Sequence, residues 1–255
     1  MIMKILVVCG KDRSKHKVAL NCIKFLLKEK KDNFYFCIEQ KDIEIIRLLK
    51  KKKQKFQSKN ILNFLDKLKK NEFDWLLNIW GTNIYSKENL LKFKNNLNIH
   101  PSFLPHGRGR DPYVWATQNN FPIGATIHQM SEKVDLGKYY VREKIKFKFP
   151  YTAGDIFDKC LKLSCEIFKK NWKKIRLNKI KKKKFTKVYK KVYKRKDLIN
   201  LNFLNLNKKK NSVYKKFILR IMSQDFPFLK QQILYKNSIY NISVHLKKTK
   251  KKLWN

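Results

Sequence analysis

Glycine, proline and histidine are scarce in this chain, with 7, 6 and 5 copies in 255 residues. Acidic residues are scarce beside the bases: 19 Asp and Glu face 62 Lys and Arg, a net charge of +43. No apolar run approaches the roughly 20 residues that span a bilayer, so membrane insertion is not expected. The opening "MIMKILVVCGKDRSKHK" has an apolar run of only about six residues before charge begins, which fits a buried strand better than a secretory leader. The five cysteines (Cys9, Cys22, Cys37, Cys160, Cys165) are odd in number and sit in apolar segments, so a disulfide framework is excluded and reduced thiols in a cytoplasmic protein are expected. Cys160 and Cys165 stand five apart with no His nearby, and the other His and acidic residues form no ligand cluster, so no metal is implied. The turn "CGKDRSK" lacks the GxGxxG spacing of a dinucleotide site.

What is abundant is lysine, asparagine and isoleucine. The charge has two readings: selection for a polyanion such as nucleic acid, or the bias of an AT-rich genome. It also suits a phosphorylated substrate, and so does not decide the function. The length predicts one large domain, or a domain with a small appendage. The segments "KILVVCG" (4–10), "NFYFCIEQ" (33–40) and "DWLLNIWG" (74–81) read as buried strands. They alternate with a helical stripe over 16–30 and a helical stretch over 41–73 that breaks near 57–60. A short helix over 87–96, a strand over 97–100, two strands around a turn over 122–147 and a helix over 151–175 complete the pattern, with Thr152 as N-cap and Asp155 three residues on. This rhythm predicts an α/β fold, a doubly wound, mostly parallel sheet over 1–180. Sixteen bases and no acid between 169 and 196 mark a boundary, a solvated helix end or a linker. Residues 181–255 then read as a small α+β appendage with a helix near 213–222 and a hairpin over 231–246.

Against this background "NLNIHPSFLPHGRGRDP" (96–112) stands out. It gathers two His, three Pro, two Gly and two Arg. Asn98 and His100 alternate onto one face of a strand end, Pro101 stops the strand, and Gly107 and Gly109 shape a tight loop around Arg108. Asp135 follows in the turn "VDLG". An amide and an imidazole can hold a carbonyl oxygen as it becomes an oxyanion, and a carboxylate can orient the imidazole or relay the proton of an attacking amine. Taken singly, Asn98 could cap a loop, His100 could be a buried hydrogen-bonded side chain and Asp135 a turn residue. His128 is either a structural brace or part of the chemistry, and His106 and Arg108 meet either a substrate phosphate or solvent.

Taken together, "NIHPSFLPHGRGRDPYVWA" and "GATIHQMSEKVDLG" resemble the formyltransferases that use 10-formyltetrahydrofolate, strongly over about 75–175. The resemblance implies the formyltransferase fold, catalytic roles for Asn98, His100 and Asp135, a pterin site beside Trp80, Gly81, Ile84 and Gly137, and substrate contacts from His106 and Arg108. It implies direct transfer to an amine, with a protonated His100 helping to hold the oxyanion. Leu136 stands where most members have Thr, and Lys138 where many have an acid or Pro.

Within that family, "RGRDPYVWA", "EIFKKNW" (166–172), "YKRKDL" (193–198) and "FILRIMSQDFPF" (217–228) resemble the nucleotide-sugar N-formyltransferases. That group implies a nucleotide-linked amino deoxysugar as acceptor and a homodimer, with Phe226, Phe228 and Tyr235 packing between subunits or stacking on a base. The alternative is a shortened methionyl-tRNA formyltransferase, in which the basic charge grips tRNA in place of a C-terminal barrel that 255 residues leave no room for. A third reading is a non-catalytic RNA-binding or structural protein.

Overall fold

The computed structural model describes residues 2–10, 17–29, 31–39, 42–58, 60–147, 151–201, 203–205, 219–223, 231–235 and 238–242. Seven strands form one sheet: β1 (Lys4–Cys9), β2 (Asn33–Ile38), β3 (Lys55–Gln57), β4 (Trp75–Asn78), β5 (Asn95–His100), β6 (Ile123–His128) and β7 (Tyr139–Ile145). Their order is β3-β2-β1-β4-β5-β6-β7. The first five run parallel, and β6 and β7 are antiparallel to their neighbours. The α/β, mostly parallel architecture matches the expectation.

Strand β1 shows why its sequence is continuously apolar. Ile5, Val7 and Cys9 join the core on one face of the sheet, and Leu6 and Val8 join the core on the other. Helices cover both faces, so from Ile5 to Cys9 no position of the strand is left for a polar residue. The first face receives α1 (Val18–Leu26), α5 (Pro112–Asn119) and α6 (Ala153–Arg176). The second receives α3 (Ile61–Asp66) and α4 (Lys87–Leu91), while α2 (Ile43–Lys51) packs Ile45 and Leu49 into the first core. Helix α6 starts with a capping box: Asp155 N donates to Thr152 Oγ1 at 3.1 Å, and Thr152 N donates to Asp155 Oδ2 at 2.8 Å. Its far end is tied down by the Arg176–Asp32 ion pair, and Trp172 meets Trp75 edge-on at 5.3 Å. All five cysteines are buried and outside any disulfide.

Three local expectations need correction. The helical stretch expected over 41–73 is interrupted ahead of the break expected near 57–60, by an edge strand, β3, that starts at Lys55 and pairs with Tyr35–Cys37. Three residues are too few for alternation to show among lysines. The helix over 87–96 stops at Leu91, and β5 starts at Asn95 rather than at 97. The early start is hidden by asparagine: buried Asn96 is held in the strand by the Met130 amide, which donates to its Oδ1 at 2.6 Å. Helix α5 carries no expectation from the sequence, because six of its residues, Pro112–Thr117, are buried and leave no one-sided stripe.

Beyond residue 180 the basic stretch lies against the sheet. Lys183 exchanges two 2.9 Å backbone hydrogen bonds with Tyr139 on β7. Tyr193 bridges to Gly109, and Leu198, in the 3-10 helix Arg195–Leu201, reaches the first core. A second sheet has the order β10-β9-β8, built from β8 (Phe203–Asn205), β9 (Gln231–Tyr235) and β10 (Ser238–Ile242). The antiparallel β9/β10 pair is the expected hairpin as far as Ile242; its extension over 243–246, Phe226 and Phe228 lie outside the described residues. The expected helix near 213–222 is described only over 219–223, where the backbone is helical. Among the described residues no helix is long and apolar enough to cross a membrane.

Candidate active site

Strand β5 delivers Asn98 and His100 two residues apart at its C-terminal end. The chain then turns at Pro101, and a hydroxyl on the neighbouring strand anchors it. Thr126, opposite His100 on β6, donates to Ser102 O at 2.7 Å and accepts from Leu104 N at 3.1 Å. Ser102 Oγ in turn donates to His106 O at 2.9 Å. The Leu104–Pro105 peptide is cis. Gly109 sits at φ 91°, and a Cβ there would lie 2.2 Å from Tyr193 O, so no other residue fits this crossing.

Asp135 comes to the same place from the β6–β7 connection, with φ 49°. Its Oδ2 lies 3.7 Å from His100 Nδ1, and its Oδ1 lies 3.5 Å from His128 Nε2. The Gly109 amide donates to Oδ2 at 2.8 Å. Asn98 Nδ2 is 3.1 Å from His128 Nε2, so His128 joins Asn98 to Asp135. The three side chains singled out as a catalytic set therefore converge, with His128 as a fourth member. The sequence left His128 between brace and chemistry, and it touches both partners.

The electrostatics follow from burial. Burial alone would raise the Asp135 carboxyl, but the nearby His100 and His128 rings and the Gly109 amide outweigh it and hold the group well below the usual carboxylate range. Burial pushes the His100 imidazole down, against the opposing pull of Asp135 and the Gly107 carbonyl. His100 Nε2 lies 3.1 Å from Gly107 O, a pure acceptor, which assigns the ring proton to Nε2.

Arg108 is buried, and its guanidinium is engaged by backbone. Nε and Nη2 donate to Val134 O at 2.9 and 2.7 Å, and Nη1 donates to Tyr189 O at 2.8 Å. The side chain thereby fastens the Asp135 turn and the stretch beyond 180 to the loop after β5. His106 packs against Tyr189 and Phe121, with centroids at 4.6 and 5.3 Å, and its Nδ1 is buried without a partner. Burial, then Lys144, Arg142 and Lys187, push its pKa down.

The residues expected at a pterin site flank the same region in two groups. Trp80, at φ 66°, accepts from the Gly10 amide at 3.0 Å across the gap between β1 and β4. This is the point where strand order reverses and where such sheets bind ligands. Ile84 is 66% exposed, a large apolar side chain open to solvent. Gly137 lines a cleft of about 460 Å3 beside the Asp135 turn, with Gln129, Met130, Leu136, Lys138 and Phe185. Gly81 packs against Asn78 and Glu39: a Cβ there would lie 1.9 Å from Asn78 Oδ1. Burial raises the Glu39 carboxyl to about 7, against a hydrogen bond from the Thr82 amide, and its Oε1 is buried without a partner. Asn78, Tyr85 and the Gly109 amide were not expected in this neighbourhood. Only strand register brings Asn78 beside Asn98.

The family model described as "Formyl transferase" matches residues 5–171. The methionyl-tRNA formyltransferase of Mycoplasma capricolum is 35% identical over 116 residues, 45% of this chain and 37% of the relative. The chain thus matches little more than a third of the length of that curated relative. Two solved structures share the fold. A 4-N formyltransferase from Francisella tularensis is 20% identical, with a TM-score of 0.81 over 97% of this chain and 99% of the other. An N-formyltransferase from Helicobacter canadensis, solved with folinic acid and dTDP-3-aminofucose, is 20% identical, with a TM-score of 0.72 over 93% of this chain and 85% of the other.

Proposed function

The chain belongs to the formyl transferase family, and from that premise we propose that it moves a formyl group from 10-formyltetrahydrofolate to the amine of a nucleotide-linked amino sugar. The observation that carries this reading is the meeting of Asn98, His100 and Asp135, with the carboxylate held ionised beside the imidazole. Ser102, the hydroxyl next to the set in sequence, is committed to the His106 carbonyl, so the nucleophile is the acceptor's own amine.

The neutral amine attacks the formyl carbon; a C–N bond forms and the carbonyl electrons move onto oxygen. Asn98 Nδ2 donates to that oxygen. The His100 Nε2–H, given to Gly107 at rest, swings onto it by a small ring rotation. Asp135 accepts the amine proton, directly or through water. The electrons return from oxygen to re-form the carbonyl, the bond from carbon to N10 breaks, and the proton received by Asp135 passes to N10 as tetrahydrofolate leaves.

Trp80, Gly81 and the exposed Ile84 form the surface that a flat pterin covers, and Gly137 forms part of the floor of the same cosubstrate site. Lys138 and Lys184 beside the cleft suit the carboxylates of a folate tail. His106, with Lys144 and Lys187 close by, faces the acceptor's diphosphate, and Arg108 keeps that loop in place. Residues 1–180 form the catalytic unit, 181–255 complete the acceptor side, and the enzyme works as a homodimer in the cytoplasm. The nucleotide-sugar acceptor is favoured by the solved neighbours that match nearly the whole chain.

A second reading, a shortened methionyl-tRNA formyltransferase, is favoured by the curated sequence relatives. Tetrahydrofolate release, followed with a panel of amino-sugar nucleotides and with charged initiator tRNA, separates the two. Turnover with a sugar nucleotide and none with tRNA is the expected result. Turnover with tRNA alone, weakening steeply with salt, overturns the sugar assignment.

A further inference from the structure

We propose that Asn78 is a positioning residue that fixes which end of the Asn98 amide faces the reacting carbonyl. The proposal rests on the reading of Asn98 as an oxyanion donor. Asn78, Asn98 and His128 occupy one row of the sheet: Asn78 pairs with Asn98 in parallel register, and Asn98 pairs with His128 in antiparallel register. Neighbouring strands lie about 4.8 Å apart, so side chains in one row reach each other through a single hydrogen bond.

The row forms a chain of contacts with a direction. Asn78 Nδ2 lies 3.4 Å from Gly81 O and 3.0 Å from Asn98 Oδ1. Asn98 Nδ2 lies 3.1 Å from His128 Nε2, and His128 Nδ1 lies 2.9 Å from Gln129 O. Both outer ends are backbone carbonyls, which only accept. From one end, Gly81 O requires the nitrogen of Asn78 on its side. The second hydrogen of that nitrogen goes to Asn98 Oδ1, and Asn98 must turn its own nitrogen toward His128. From the other end, Gln129 O requires the ring proton on Nδ1, and Nε2, with Asn98 Nδ2 at 3.1 Å and Asp135 Oδ1 farther off at 3.5 Å, is left with a lone pair that accepts from Asn98. The two ends agree. Tyr85 adds a third constraint, since its hydroxyl donates to Asn78 Oδ1 at 3.2 Å. Gly81 leaves room for that oxygen, 1.9 Å from where a Cβ would stand.

The consequence is chemical. The two ends of an amide are alike in shape, and its hydrogen-bond partners decide which way it faces. One hydrogen of the Asn98 nitrogen goes to His128 and the other remains for the oxyanion. A reversed amide would present its oxygen to developing negative charge and repel it. Asn78 touches no substrate in this scheme; it acts through Asn98.

The test uses Asn78→Asp, which keeps the shape and loses the donor. The new carboxylate draws Asn98 Nδ2 toward itself, and Asn98 Oδ1 then faces His128 Nε2 and pulls the ring proton there. Nitrogen NMR of the His128 imidazole is compared in the wild type and the variant, together with steady-state kinetics and an Asn98→Ala control. The expected results are a neutral Nδ1–H ring in the wild type and an Nε2–H or doubly protonated ring in the variant. With them goes a kcat loss of about 10²-fold, the scale of one oxyanion donor, with KM for the cosubstrate within about twofold. An Nε2–H ring in the wild type overturns the proposal, and this arm needs no variant to fold. A near-normal kcat in Asn78→Asp with an inactive Asn98→Ala also overturns it while leaving Asn98 as the donor. An active Asn98→Ala overturns the donor reading itself.

Discussion

The loop after β5 and the basic stretch after α6 are both rich in cations, and they use them in opposite ways. In the first, Arg108 is buried and gives donors to two backbone carbonyls, Gly109 gives its amide to Asp135, and Ser102 gives its hydroxyl to His106 O. In the second, Lys181, Lys182, Lys183 and Lys184 are exposed, and Lys183 is held by its backbone. The comparison teaches that charge counting does not find the site. A net charge of +43 runs along the whole sequence, while the centre of the site is a largely enclosed acid between two imidazoles. The two regions are nonetheless joined, because Tyr189 and Tyr193 of the basic stretch supply carbonyls to Arg108 and to the Arg110 amide.

The comparison breaks most sharply at His100. His100→Ala removes one donor and the partner of Asp135, and kcat is expected to fall by about 10³-fold with the fold retained, read by turnover and circular dichroism. Arg108→Leu comes next. It leaves the Val134 and Tyr189 carbonyls without their donors, and a loss of about 2–3 kcal/mol in denaturant unfolding is expected, together with loosening of the Asp135 turn. If instead Arg108 serves only a phosphate, stability stays put and KM for the acceptor alone rises.

A smaller effect sharpens the account of the region under Gly81. Glu39 holds its proton in the folded chain up to about pH 7, whereas an unfolded glutamate has released it above about 4.5. The folded state therefore binds more protons between these values, and stability falls as pH rises across that window and levels off above it. Glu39→Gln is expected to flatten this slope and to be the more stable chain at pH 8, as thermal melts at several pH values will read. The smallest effect belongs to the basic stretch. Replacing Lys181, Lys182 and Lys183 by Gln is expected to change stability by less than about 0.5 kcal/mol per site and to leave kcat unaltered. A large rise in KM for tRNA in that variant would favour the nucleic-acid acceptor.

Much of this architecture was legible in the chain. β1, β2 and β4 announce themselves because burial on both faces demands unbroken apolar runs. The Asn98–His100–Asp135 set was legible because rare residue types cluster around it. Other features depend on partners distant in sequence. The Arg108 donors end on carbonyls 26 and 81 residues away, and nothing local distinguishes that use from phosphate binding. Asn78 is a lone asparagine closing an apolar strand, and its meaning comes from the register with Asn98. β3 and α5 stayed hidden for opposite reasons: β3 is too short to show a period, and α5 is too enclosed to show a polar side.

The central claim is that the carboxylate of Asp135 works with His100 and Asn98 on the formyl group. Its most direct test is the single-turnover rate of formyl transfer by Asp135→Asn, with cosubstrate binding measured on the same sample. The account expects the rate to fall by at least about 10²-fold while the cosubstrate Kd stays within a few-fold of the wild type. A variant that transfers the formyl group at close to the wild-type rate would contradict it.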